Sequence, residues 1–313
     1  MGSILHGLLR DTGNINGLQV FTMEDEPRVI ELRGMEIQQA NHAYGTNGII
    51  TEVEVPLAPA YPWADLIVAF DGLMTAARFG QALGDADGIV KNECSVCAWP
   101  ISKYLKPLRG FIPEGKTIAI CMVAEQSLEP FETLVADFGG EISYRKSAEE
   151  AASGTPLFEY TWNHTTLYAI KADPSITYLQ ALSKPGRNLE RIEHVAGHFG
   201  DEMPIHLEFI RLHGQVGCMG VVLLRYRGES RLNEVIEYLE DYGVPVFNPY
   251  TPILEDKGMK MVNRAQLDFK KLADPYGLLN PGKVRAWMED REVIGKEDAL
   301  YPADHSGGRS VED

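Results

Sequence analysis

The chain has 313 residues, 44% of them apolar and 24% charged, a composition that suits a globular protein with room for two domains and excludes a disordered or collagen-like one. Its formal net charge is −16, from 45 acidic against 29 basic residues, which repels phosphate backbones and argues against nucleic-acid binding. No apolar run reaches the ~20 residues of a membrane helix, and the start MGSILHGLLRD lacks a basic n-region with a long apolar core, so a cytoplasmic location is expected.

From Leu18 to Leu32 the segments LQVFT and RVIEL flank the turn-like MEDEP and predict a hairpin. GIITEVEVPL, from Gly48, alternates apolar and polar residues as a third strand, and Pro56, Pro59 and Pro62 mark a change of domain near residue 60. Beyond it a strand, an amphipathic helix and another strand recur as three βαβ units. In the first, DLIVAF leads to a helix with Leu73, Ala76, Ala77 and Gly80 on one face and Asp71 placed to cap it, then to IVKNECSV. In the second, TIAICMVA precedes Ser127 as N-cap and a face of Phe131, Leu134, Val135 and Phe138, stopped at Gly139. The third holds the apolar pair IHLEFIRL and GCMGVVLLRY, then a helix with Leu232, Val235, Ile236 and Leu239, ended by Gly243 before VPVF. The repetition predicts an α+β architecture: an open, ferredoxin-like sheet covered by helices on one face. A last helix, roughly residues 262–273, precedes the turn-forming DPYGLLNPGKV, and from about Arg291 a polar, aperiodic tail is expected to be loosely ordered.

Four cysteines make no disulfide framework in a chain of this size, and Cys121 and Cys218 sit in apolar stretches as small buried thiols do. Cys94 and Cys97 have CxxC spacing, but no second ligand pair accompanies them. ECSVCAW reads as a strand end leading to Pro100, so both are taken as structural.

Three stretches carry a family likeness. YGTNGIITEVEVPLAP resembles the segment that closes the flavin-binding domain of the FAD-linked oxidases, the glycolate oxidase and D-lactate dehydrogenase kind with a PCMH-type FAD-binding domain. DPYGLLNPGKV is similar to the signature at which that family's chain returns from the cap domain to the flavin, and MGSILHGLLRDTGNINGLQV resembles the middle of the flavin domain. The resemblance implies FAD, with Gly2, Ser3, Asp11, Asn14, Gly45, Thr46, Gly48, Ile50 and Asn280 as cofactor-binding residues. It implies that residues 1–60 form the second half of the flavin domain, 61–260 a ferredoxin-like cap that reads the substrate, and 261–290 the return to the flavin domain, with 291–313 as tail. The family's glycine-rich pyrophosphate loop and first βα subdomain are not in this sequence, so either it is a fragment or a second chain supplies that half. Without that cradle of backbone amides FAD should bind weakly.

In such enzymes a base takes the substrate's hydroxyl proton as hydride passes to flavin, and histidine is the natural base. Candidates are His164 in TWNHTTLYAIK, placed just before a predicted strand TLYAIK; His198 in GHFGDE; and His206 in PIHLEF. His206 and Glu208 stand at i and i+2 on a predicted strand and share a face, with Arg211 on the opposite one; they are either a site or a satisfied polar network. GHFGDEMPIH also resembles a metal-binding segment of the D-lactate and 2-hydroxyglutarate dehydrogenase branch, which raises a metal held by His198, His206 and Glu255, with Glu255 and Asp256 standing where that branch has Glu-His and the histidines one residue too far apart. Arg211 and Lys171 are candidates for a substrate carboxylate. Two readings remain: an oxidoreductase that passes hydride from a small alcohol or 2-hydroxy acid to FAD, with an N-terminal flavin half or an electron-acceptor protein as partner, or a non-catalytic partner subunit whose cap mediates association.

Overall fold

The computed structural model describes residues 2–249, 251–255 and 262–288, so the predicted tail and Asp256 lie outside the described residues. The chain divides into two compact units, one of residues 1–8 and 58–246, the other of residues 9–57 and 247–313. The N-terminal residues thus group with the sheet-rich unit, whereas the sequence reading places residues 1–60 together.

The first unit is built on an eight-stranded sheet, in the spatial order Val246–Phe247, Ile176–Ser183, Gln215–Arg225, His206–Leu212, Lys91–Cys97, Thr117–Ala124, Trp63–Phe70, Glu141–Lys146. In chain order the first four strands stand as 2-3-1-4 and the last four as 4-1-3-2, each set with two helices in a βαββαβ path. This is the ferredoxin-like arrangement, present twice, with the halves joined through the second strand of each. The join is short: His206↔Cys97, Leu207↔Val96 and Glu208↔Ser95, antiparallel.

Helices Leu73–Asp85, Leu128–Asp137, Asn188–Phe199 and Glu229–Asp241 lie on one face of the sheet, because residues such as Phe79, Phe131, Ile192, Val195, Ile236 and Leu239 enter one core with Leu66, Val96, Leu207 and Val222. Caps are filled differently from expectation. The helix at Leu73 starts at Gly72 with no side-chain cap, and Asp71 pairs with Lys116 instead. Ser127 is the N-cap of its helix, yet its Oγ accepts from Val90 N at 3.1 Å.

The opposite face is not open. Ile101, Leu105, Leu108, Leu157, Tyr160 and Ala169 cover Ile67, Ile118, Ile120 and Leu223 there. Part of this cover is a helix, Trp162–Ala172, where the sequence reading expects a strand in TLYAIK. Its Thr165, Thr166 and Ala169 are buried at helical spacing, and that packing outweighs the β preference of Thr, Tyr and Ile. The strand Ile176–Ser183 and the helix Asn188–Phe199 complete the second repeat and make it two βαβ units where one was expected.

The second unit holds a three-stranded sheet, with Gly17–Phe21 between Val29–Arg33 and Ile49–Glu54. The predicted hairpin and third strand are both there. Leu18, Val20 and Leu32 pack with Ile37, Ala40, Phe269 and Ala273, the last two from the helix Arg264–Ala273, which Asn263 caps by accepting from Gln266 N at 2.8 Å. This layer stops short of the edge strand. All six residues of Ile49–Glu54 are exposed, Ile50 and Val53 among them although they sit opposite buried Val20 and Leu18.

Candidate functional site

Two constellations emerge, one in each unit. In the second unit the two family-like turns meet, although they stand far apart in sequence. Asn280 Nδ2 donates to the carbonyl of Tyr44 at 2.6 Å across 236 residues, and Lys270 Nζ donates to the carbonyl of Thr46 at 2.9 Å. Asp274 organises the turn after the helix: its carboxylate accepts from Leu278 N at 2.8 Å and Leu279 N at 3.0 Å and pairs with Lys270 at 2.7 Å, fully buried. Asn47 ties the other turn to the helix by donating to the carbonyls of Gln39 and Gln266, each at 2.7 Å. The turn of residues 42–48 runs through left-handed backbone at His42, Tyr44, Gly45 and Gly48. At Gly48 glycine is required twice over, by φ of +78° and because a Cβ would lie 2.4 Å from Val20 Cγ1.

Of the residues the resemblance assigns to the cofactor, Gly45, Thr46 and Asn280 are thereby brought together, and Ile50 lies exposed on the adjoining strand. Asp11 and Asn14 sit in one turn, joined by Asn14 N to Asp11 O at 3.1 Å. Gly2 and Ser3 belong to the other unit, in a small hairpin with Gly7 and Leu8 where Ser3 Oγ accepts from Leu5 N at 3.0 Å. The residues of the second unit fit FAD in part. The turn allows close backbone approach and the edge strand offers apolar side chains to a flat ring. The motif's own polar side chains, Asn47, Lys270, Asp274 and Asn280, are committed to protein partners and form no diphosphate cradle.

The first unit's constellation straddles the seam between its two repeats. Alternation along His206–Leu212 sends Leu207 and Phe209 into the helix-side core and turns His206 and Glu208 to the other face, as the sequence spacing predicts. There Ser95 sits opposite Glu208 and Cys97 opposite His206. His206 Nε2 lies 2.8 Å from Glu208 Oε1 and 3.0 Å from Ser95 Oγ; the Ser95 hydroxyl donates to Glu208 Oε1 at 3.0 Å, and the backbone N–H of Trp162 donates to the same oxygen at 2.5 Å. Ser95, His206 and Glu208 are fully buried. His206 Nδ1 and Glu208 Oε2 make no hydrogen bond of good geometry.

Burial sets the protonation. It pushes the His206 imidazole down to about 4, so the ring is neutral at pH 7. It pushes the Glu208 carboxyl up to about 7, against the lowering effect of the donors from Glu93, Trp162 and Ser95. Trp162, the first helical residue, is held at φ +51°, a costly conformation for a bulky side chain at the point where its N–H meets the carboxylate.

Other candidates fall elsewhere. His164 lies in the helix Trp162–Ala172, its Nδ1 3.0 Å from Glu159 Oε2 and both side chains substantially exposed. The proposed metal set is not assembled: His198 projects from the helix side of the sheet and stacks on Tyr238 at 3.9 Å, His206 faces the other way, and Glu255, in the second unit, accepts from Arg285 N and Ala286 N. Among the described residues no cluster of three metal-ligating side chains occurs. Arg211 is occupied by the carbonyls of Ile4, Gly84 and Gly214 and by Asp87, so it clamps chain segments together; Lys171 lies in the last turn of its helix. Cys94 and Cys97 point to opposite faces and both are buried free thiols, in keeping with the structural reading.

Sequence reasoning missed Glu93, Ser95 and Trp162. The signal for the first two was in KNECSVC, where Glu93, Ser95 and Cys97 form a period-two polar row matching His206 and Glu208. Nothing in the sequence announces the backbone strain at Trp162.

No family model matches the sequence, and no curated protein matches it significantly. Solved structures do resemble it. An alkyldihydroxyacetonephosphate synthase is 13% identical over 88% of this chain and 54% of its own, with a TM-score of 0.50. A carbohydrate oxidase from Microdochium nivale is 11% identical over 90% of this chain and 67% of its own, with a TM-score of 0.52. A glucooligosaccharide oxidase from Acremonium strictum, whose FAD is described as 6-S-cysteinyl and 8α-N1-histidyl, is 12% identical over 88% of this chain, with a TM-score of 0.47. The chain spans about half the length of the first and two thirds of the second, and over that span it shares their fold.

Proposed function

We propose that the chain is part of an FAD-dependent oxidoreductase that oxidises a CH–OH carbon of a small alcohol, sugar or 2-hydroxy acid. One observation carries this reading above the others: the two turns that resemble the FAD-linked oxidase signatures close on each other through Asn280, Tyr44, Lys270 and Thr46. The fold shared with a carbohydrate oxidase supports it.

FAD, when bound, supplies the hydride acceptor. The chain's own part is proton handling and positioning. Glu208, with its midpoint near neutrality, is the group able to take up a proton at working pH, and neutral His206 fixes the carboxylate through Nε2. Ser95 and the Trp162 N–H hold the same oxygen and keep water from it. His164, at the start of the covering helix, is the exposed base candidate on that side.

FAD retention tests the reading: the purified chain, alone and mixed with a separately expressed N-terminal flavin half of a related oxidase, is desalted and its flavin absorbance measured. Yellow flavin kept only in the mixture is the expected result. Absence of flavin from both folded samples would leave the second reading, an association subunit, which the uncovered apolar strand Ile49–Glu54 favours.

A further inference from the structure

Glu93 stands two residues before Ser95 on the strand Lys91–Cys97. Its direction is set by a β-bulge: pairing with Thr117–Ala124 shifts between Lys91, opposite Val123, and Glu93, opposite Met122. Val123 belongs to the helix-side core, and Lys91 goes with it, its Nζ donating to the carbonyl of Ala86 at 2.7 Å. The extra residue, Asn92, turns Glu93 to the opposite face, in line with Ser95 and Cys97. Glu208 pairs with Ser95, so Glu93 is its diagonal neighbour across the seam, within reach of a long side chain.

Glu208 raises the proton affinity of Glu93 there, and Trp162 approaches both, its backbone N–H donating to Glu208 and its side chain lying near Glu93. The other groups around the pair are His206 on the partner strand, Ser95 and Cys97 on Glu93's own strand, and Thr165 on the covering helix; Met122 faces Glu93 from the third strand. Among the described residues neither lysine nor arginine is one of them, and His206 is held neutral by burial. Glu208, His206 and Ser95 are sealed from solvent, whereas Glu93 retains some exposure as a residue although its carboxyl is largely covered.

We propose that Glu93 and Glu208 hold one proton between them across the seam, and that Glu93, the less buried of the two, is the residue through which that proton enters and leaves the buried cluster. Two carboxylates side by side without a cation cannot both ionise cheaply, so one keeps its proton and donates it to the other. Burial, and then the neighbouring Glu208, hold Glu93 well above the ordinary carboxyl range. A proton taken up by Glu208 converts the carboxyl–carboxylate pair into two carboxylic acids, and Glu93 returns one proton to water. The pairing concerns the chain as it stands; only its use in turnover rests on the oxidoreductase reading.

The test is titration of the glutamate side-chain carboxyls by 13C NMR on the full chain, without flavin, in wild type, Glu208→Gln and Glu93→Ala. Glu93 is expected to stay protonated in wild type well above the ordinary carboxyl range and to titrate at least one pH unit lower in Glu208→Gln, where the repelling charge is gone. Glu208 is expected to titrate higher in Glu93→Ala, which removes its donor. Ionisation of Glu93 in the ordinary carboxyl range in wild type overturns the proposal without any variant, and so does a Glu93 midpoint unmoved by Glu208→Gln. A positive titration combined with no flavin retention would instead count against the oxidoreductase reading alone.

Discussion

Replacing Glu208 by Gln keeps the shape and the acceptor for Trp162 N–H but removes a buried carboxyl that titrates near neutrality. In the folded chain this group is raised from 4.5 to about 7 by burial. A raised carboxyl favours the folded state fully below pH 4.5, and that advantage is lost as pH climbs through 7, because the unfolded chain releases its proton first. A shift of this size corresponds to roughly 3 kcal/mol in all, of which about 2.5 kcal/mol falls between pH 5 and pH 8. Glu208→Gln has no such loss, so its stability relative to wild type should improve by about 2.5 kcal/mol from pH 5 to pH 8, whatever the offset at either end. Urea unfolding of both proteins at half-unit pH steps measures this difference directly. A difference constant within about 0.5 kcal/mol over that range would refute the claim that Glu208 is a buried, neutral-range carboxyl.

His206 works in the opposite sense. Its imidazole is depressed from 6.5 to about 4, so it stabilises the fold above pH 6.5 and that contribution is lost as pH falls toward 4. His206→Gln should therefore gain on wild type by about 2 kcal/mol as pH drops from 8 to 5, read from the same urea series. Gly48→Ala places a Cβ 2.4 Å from Val20 Cγ1 at φ +78° and is expected to cost about 2–4 kcal/mol, part of which Val20→Ala in the same chain should restore; additive losses would contradict the clash. Asp274→Ala leaves Lys270 and the amides of Leu278 and Leu279 without their acceptor, for an expected loss of about 3–5 kcal/mol and faster hydrogen exchange at those two amides; unchanged exchange would show that the turn is held by other means.

Most strands of both units were readable because each carries a period or an apolar run that burial enforces, Ile176–Ser183 being an exception that went unread, and the two signature turns because proline and glycine at fixed offsets dictate their backbone. The face shared by His206 and Glu208 followed from strand spacing alone. Residues 162–172 misled because Thr, Tyr and Ile favour strands locally, and only contact with the sheet's second face makes them helical. Glu93 was masked by Lys91: with Asn92 counted as an ordinary strand residue, the two share a face and read as a solvated ion pair, whereas the bulge sends Lys91 to the other side and leaves Glu93 in line with Ser95. The join between repeats depends on long-range pairing that local pattern does not encode.

The seam has a genetic consequence. Its polar groups come half from each repeat, Glu93 and Ser95 from one and His206 and Glu208 from the other, meeting along equivalent strands that touch over three residue pairs. Neither repeat could have possessed this cluster by itself, so a duplication that set two such sheets edge to edge would create the place and the need for it at once. Changes on the two sides are then expected to be selected together, a loss in KNECSVC tolerated best where PIHLEF has already changed.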